Sequence, residues 1–151
     1  MIRFLFESIP LDGGPIHGLD QGHITVKGNL GTASSREIHS SMMIFVSAFT
    51  FLYELQQYLE DARAKIYCFT GVGSLFQLEF HKEGDEIAIR HGDQAVSITH
   101  PRLILQSLLN AVSEFSEASG LPPDDVCYED LRRTLSDVER FNRTFFGVRG
   151  R

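Results

Sequence analysis

SLFQLEFHKEGDEIAIRHGDQAVSITHP, from Ser74 to Pro101, narrows the possible folds more than any other stretch of this chain. Apolar and polar residues alternate through it with a period of two, broken twice by glycine beside an acidic residue. That is the pattern of antiparallel strands joined by tight hairpins. Placing two-residue turns at Glu83-Gly84 and Gly92-Asp93 pairs Phe80 with Ile87, Leu78 with Ile89 and Phe76 with His91. The second turn then pairs Ile87 with Ile98 and Ile89 with Val96. One face becomes two apolar rows, Phe80–Ile87–Ile98 and Leu78–Ile89–Val96. The other face carries Gln77, Glu79, His81, Glu86, Ala88, Arg90, Ser97 and Thr99. A slip of one residue would invert this sorting, which fixes the expected register. KIYCFTGVGS, just before, adds a fourth strand through a hairpin near Gly71–Gly73 and places Tyr67 and Phe69 on the apolar face.

The rest of the chain supplies helices and a second strand pair. Ile2–Ile9 reads as a strand, and PLDGGPIHGLDQG, Pro10–Gly22, is a loop rich in glycine and proline. HITVKG, His23–Gly28, reads as a second strand, with NLGTASSRE as a polar connection that extends it. A first helix is expected from about Ile38 to Ala62. Met42, Phe45, Val46, Phe49 and Leu52 keep helical spacing, while Ile44, Phe51, Tyr53, Leu55, Tyr58 and Leu59 fill the other faces. A helix apolar nearly all round is covered on several sides, by other helices or by a partner subunit.

Pro101 opens a second helix with the stripe Leu105, Leu108, Leu109, Val112 and Phe115, ended at Ser119-Gly120. A third helix follows, capped by Asp124 or Asp125, with an inner stripe of Val126, Leu131, Leu135, Val138 and Phe141 or Phe145. GVRGR, Gly147–Arg151, is expected to fray. The expected fold is α+β. It is one domain over residues 1–151, with a mostly antiparallel sheet of about six strands and three helices mainly on one face.

The chain has 151 residues, within the size of one core, and a formal net charge of -6. That charge disfavours nucleic acid and anionic membrane, which need clustered Lys and Arg, and suits a basic protein partner. Cys68 and Cys127 are too few for a disulfide framework and read as reduced core thiols. The N-terminus lacks the features of a signal peptide, and the most apolar stretch, Met42–Leu55, is too short and interrupted to span a membrane. A cytoplasmic location is expected.

No catalytic or metal constellation emerges. Three of the six histidines lie in or beside the meander. In the expected register His91 takes the apolar face at a strand end, His81 the polar face beside Glu86, and His100 a helix cap. His81 and His100 near Glu83 and Asp85 are the one grouping to test for a metal, and they lack the spacing of a preformed site. His17, with Asp12 and Asp20 in the glycine-rich loop, is a second candidate for acid–base work, although nothing fixes its geometry. GVGS at Gly71–Ser74 has no lysine and precedes a strand, so it is a turn and not a phosphate loop. Ser40-Ser41 is expected at the N-terminus of the first helix. Cys127 reads as a packing thiol. Neither an enzyme nor a cofactor is expected.

Acidic residues cluster in two places. Asp124, Asp125, Glu129 and Asp130 open the third helix, and Glu83, Asp85, Glu86 and Asp93 sit at the meander turns. Solvation and helix capping account for part of this. An acidic recognition face that includes Asp124, Asp125, Glu129, Asp130, Glu83, Asp85 and Asp93 is the functional reading.

The order of elements, with GSLFQLEF, the EG and GD turns and SITHPRLILQSLLNAVSEF, resembles small bacterial α+β proteins of the immunity type from polymorphic-toxin systems. The resemblance covers Lys65–Phe141 best. It is one of layout and assigns no individual site residue. It implies a non-enzymatic, cytosolic protein that binds and neutralises one cognate toxin domain. The mechanism expected is occlusion of a basic toxin or effector domain by an acidic face. An oligomeric assembly or chaperone-like protein, with a homodimer built on the apolar first helix, is the second reading. A small histidine-dependent enzyme is the third.

Overall fold

In the computed structural model, which describes residues 1–10 and 13–147, the chain forms an α+β fold with eight strands in two antiparallel sheets. Asp12 and residues 148–151, most of the expected frayed end, lie outside the described residues. The first sheet contains β1 (Arg3–Ile9), β2 (Gln21–Lys27), β3 (Thr32–Ser34) and β4 (Met42–Met43). β2 is its centre, pairing with β1 on one side and with β3 and β4 on the other. The second sheet is the expected meander, β5 (Ile66–Thr70), β6 (Gln77–Glu83), β7 (Glu86–His91) and β8 (Gln94–Thr99), in sequential order.

The single six-strand sheet is therefore corrected to two sheets of four. The segment expected to extend the second strand instead turns at Gly28–Gly31 and returns as β3. This turn abuts β8 without sharing a ladder with it. Leu30 N and Gly31 N both donate to Val96 O, at 3.0 and 3.1 Å. Asn29 acts as a peptide mimic, donating through Nδ2 to Ile98 O at 3.1 Å and accepting Ile98 N at Oδ1 at 3.0 Å. The exposed edge of the meander is thus closed by the neighbouring hairpin.

Both meander turns are Gly-Asp pairs. Glu83 pairs with Glu86 across Gly84-Asp85, and His91 pairs with Gln94 across Gly92-Asp93. The leading glycines have φ of 61° and 59°, the left-handed backbone that a two-residue hairpin loop uses. The first turn lies one residue later than expected, so Phe80 faces Ile89 and Lys82 faces Ile87. A displacement of the pairing by two leaves each side chain on its expected face, and Leu78, Phe80, Ile87 and Ile89 are all fully buried.

The second correction changes faces. A bulge in β8 makes Val96 an extra residue between the pairs Arg90↔Ala95 and Ile89↔Ser97. Beyond it Ser97 and Thr99 are buried, and Ile98, expected inside, is 38% exposed. The Val96 carbonyl that the bulge frees from the ladder is the one taken up by Leu30 and Gly31.

α1 (Ile44–Glu60) begins later than expected, because Met42-Met43 is drawn into β4 against Gln21-Gly22. Most of its apolar surface is covered by its own chain, with Tyr53 left 58% exposed. Phe51 stacks on Phe69 of β5 at 4.0 Å, meets Phe4 of β1 edge-on at 5.6 Å and faces Phe80 of β6 at 5.9 Å. One ring therefore joins both sheets. The opposite side of α1 is covered by α2 (Pro101–Ser119) and α3 (Tyr128–Asn142), with Phe45 stacked on Phe115 at 4.8 Å. A π-helical turn, Arg143–Gly147, ends the described chain and buries Phe146. No helix among the described residues is long and apolar enough to cross a membrane.

Candidate interaction surface at the start of the third helix

α3 starts at Tyr128, later than its acidic run suggests, and Cys127 occupies the cap position without a side-chain cap bond. Asp125 has a different task from the expected cap. Its Oδ2 accepts Gly18 N and its Oδ1 accepts Cys127 N, each at 2.9 Å. Cys127 Sγ completes the junction by donating to Gly18 O at 3.4 Å. A side chain on Gly18 would run into the Asp125 carboxylate and Cys127, so only glycine allows this approach. The Gly-Pro loop is therefore docked onto the start of α3. Cys127 is buried, and that burial, with Asp125 and Asp130 nearby, holds its thiol above the ordinary range. This suits a packing thiol and not a nucleophile. Cys68, expected in the core, is exposed on β5.

The clamp leaves Leu19 and Val126 facing solvent at 49% and 68% exposure. Val126 was expected on the inner stripe. It is displaced because the helix begins after it. Asp124, Glu129 and Asp130 are exposed around this junction, and Asp130 holds Arg133 at 3.2 Å in a solvent-exposed pair of small energetic weight. The result is two exposed apolar side chains, Leu19 beside Gly18 and Val126 between Asp125 and Cys127, on a backbone fixed by two charge-assisted hydrogen bonds.

The acidic residues of the β6–β7 turn do not join this surface. Glu83 and Asp85 flank one end of β7 and Asp93 the other, about 20 Å apart for a strand of that length. The β6–β7 turn shares a groove with Phe145 and Phe146, beyond the far end of α3 from Asp124. The structure therefore brings together Asp124, Asp125, Glu129 and Asp130 and leaves Glu83 and Asp85 elsewhere, with Asp93 at the opposite end of β7 from them.

Each candidate histidine has a separate local role. His100 caps α2, accepting Arg102 N at 3.1 Å. His91 stacks on Phe76 at 5.0 Å and contacts Gln77 O at 3.0 Å. His81 lies opposite Ala88 and 3.5 Å from Glu79, in place of the expected neighbour Glu86. His17 accepts Leu19 N at Nδ1, while the Asp20 carboxylate accepts the His17 backbone N–H. Among the described residues, no group of three or more His, Cys, Asp or Glu is placed to hold a metal ion. Gly71–Ser74 is a turn pinned to the start of α1, with Val72 N donating to Ser47 Oγ at 3.0 Å and Leu75 N to Ser40 Oγ at 2.8 Å.

Sequence reasoning passed over His23. The residue is 9% exposed, and Nδ1 lies 2.9 Å from Ser35 Oγ. Burial, then Arg36, holds its pKa below the ordinary imidazole value. Its β1 partner Glu7 grips Arg36 through both carboxylate oxygens, at 3.1 and 3.2 Å. The signal available was a histidine sharing a strand face with Thr25, opposite Ile24 and Val26 in HITV, which by itself reads as an ordinary strand residue. No protein-family model matches the chain, and no curated protein and no solved structure matches it.

Proposed function

We propose that the protein is a non-enzymatic binding module that docks a basic protein surface with the start of α3, in the manner of an immunity-type inhibitor covering a toxin or effector domain. The observation that carries this reading is the exposed apolar pair Leu19 and Val126, bordered by Asp124, Glu129 and Asp130 on a clamped backbone. Buried apolar anchors give affinity, and surrounding carboxylates give steering and fast, salt-sensitive association. The acidic recognition face is thereby reduced to one edge of the molecule. Asp125 supports it from beneath, and the meander carboxylates are left out. The self-association reading is weakened, because α2, α3 and both sheets cover most of the apolar surface of α1 and leave Tyr53 as its exposed aromatic.

The test is capture from the native host at low and high salt, followed by titration of the captured partner against variants. Val126→Asp should abolish binding, and Asp124→Lys with Glu129→Lys and Asp130→Lys should slow association and remove its salt dependence. A partner that binds these variants as it binds the parent protein, or the absence of any stoichiometric basic partner, would refute the proposal.

A further inference from the structure

A separate cleft of about 690 Å3 opens beside the Ile9–Gln21 end of the β1–β2 ladder. Gln21, His23, Arg36, His39 and Ser41 line it, together with the apolar surfaces of Ile9 and Pro10. Its hydrogen-bonding groups are unbalanced. Both oxygens of Glu7 are taken by Arg36 Nε and Nη2, which leaves Nη1 without an acceptor among the described residues. Gln21 Oε1 is taken by Ser41 Oγ at 2.9 Å, which leaves the Gln21 amide group as a donor.

Ser35 Oγ decides the tautomer of His23. It accepts Ile24 N at 3.0 Å, and its one proton has a choice between His23 Nδ1 at 2.9 Å and Ile24 O at 3.4 Å. Donation to the nearer Nδ1 puts the imidazole proton on Nε2, the nitrogen without a partner among the described residues. His39 completes the set. Its ring has no hydrogen-bond partner among the described residues, and its backbone is held at φ 53°. Left-handed backbone at a residue other than glycine costs free energy and collects at ligand sites. The cleft therefore presents spare donors from His23, Arg36, His39 and Gln21, while its carboxylate and amide acceptors are consumed.

We propose that this cleft binds the oxyanion group of a small organic anion, a phosphate or a carboxylate. The oxygens would be held by His23, Arg36, His39 and Gln21, and the organic body would rest on Ile9 and Pro10. The cleft is larger than a bare oxyanion needs, and two apolar side chains line it. Arg36 is oriented for this work because Glu7 fixes the guanidinium plane from its other edge.

The imidazole signals of the six histidines provide the assay, with the other four as internal controls. Phenyl phosphate and benzoate are titrated separately at constant ionic strength, and long-range nitrogen–proton spectra are recorded. Saturable shifts confined to His23 and His39 with either probe support the site, and the probe that binds identifies the oxyanion. Parallel drift of all histidines, or no saturation with either probe, overturns it. Arg36→Gln should weaken binding by about tenfold or more, as expected for one charge-assisted hydrogen bond. His39→Gly is the variant that protects the test against misfolding. It should raise the Tm by removing the left-handed strain and at the same time weaken binding. A raised Tm with unchanged binding removes His39 from the site and refutes the assignment.

Discussion

Replacing Asp125 should destabilise the protein far more than replacing its neighbour Asp124, although both belong to the same acidic run. Asp125 accepts two backbone N–H groups at 2.9 Å, from Gly18 and Cys127, and both of those residues are buried. A hydrogen bond to a charged group contributes about 1.5–3 kcal/mol, and Asp125 is half-buried, so each bond is discounted toward about 1 kcal/mol. Leaving two N–H groups without an acceptor adds to the cost, so Asp125→Ala should lose about 2–3 kcal/mol. For a chain of this size that is a fall in Tm of about 4–12 °C. Asp125→Asn should lose roughly half as much, because an amide nitrogen cannot accept and one of the two bonds survives. Asp124→Ala should stay within about 0.5 kcal/mol of the parent. Urea unfolding followed by circular dichroism measures all three. Equal effects at Asp124 and Asp125, or an Asp125→Ala loss below about 0.5 kcal/mol, would show that the loop is not clamped as described.

Ser97→Ala should stabilise the protein by about 1 kcal/mol, read from the urea midpoint, because the buried Ser97 hydroxyl has no hydrogen-bond partner among the described residues. Asn29→Ala should cost about 1–2 kcal/mol by the same assay, and it should bare the edge of β8 at Ile98, with self-association visible by light scattering. His23 is held below its ordinary value, first by burial and then by Arg36, so the unfolded chain binds a proton there more readily than the folded one. Stability should therefore fall as pH drops below about 6.5 toward the lowered folded value, and His23→Gln should flatten that slope in unfolding midpoints taken from about pH 8 to pH 5.

The meander was legible in the sequence because period-two alternation and glycine turns are local properties. EGD admits a turn at either pair, and both choices keep Leu78, Phe80, Ile87 and Ile89 on one face, so the core survived the wrong partner assignment. The bulge at Val96 was not legible. AVSIT alternates without a break, and the extra residue is stabilised by Leu30 and Gly31, which lie far away in the chain. Helix ends behaved in the same way. Gly120, with φ 66°, stops α2 where its own backbone preference dictates, whereas α1 loses its expected first turn to a strand contact with Gln21-Gly22.

The candidate sites divide along the same line. The sequence by itself determined that the chain is acidic, that its carboxylates gather at the start of α3, and that its histidines lack ligand spacing. Only the tertiary structure decided which acid is structural, by bringing Gly18 against Asp125 and Cys127 across more than a hundred residues. It also decided that His23, Arg36 and His39 share one cleft, with Glu7 holding Arg36. Hydrophobic period and turn chemistry are carried by neighbours in the chain, so one strand of sequence contains them. A carboxylate's partner and a histidine's tautomer depend on groups brought near by folding, and their positions exist only once the core has formed.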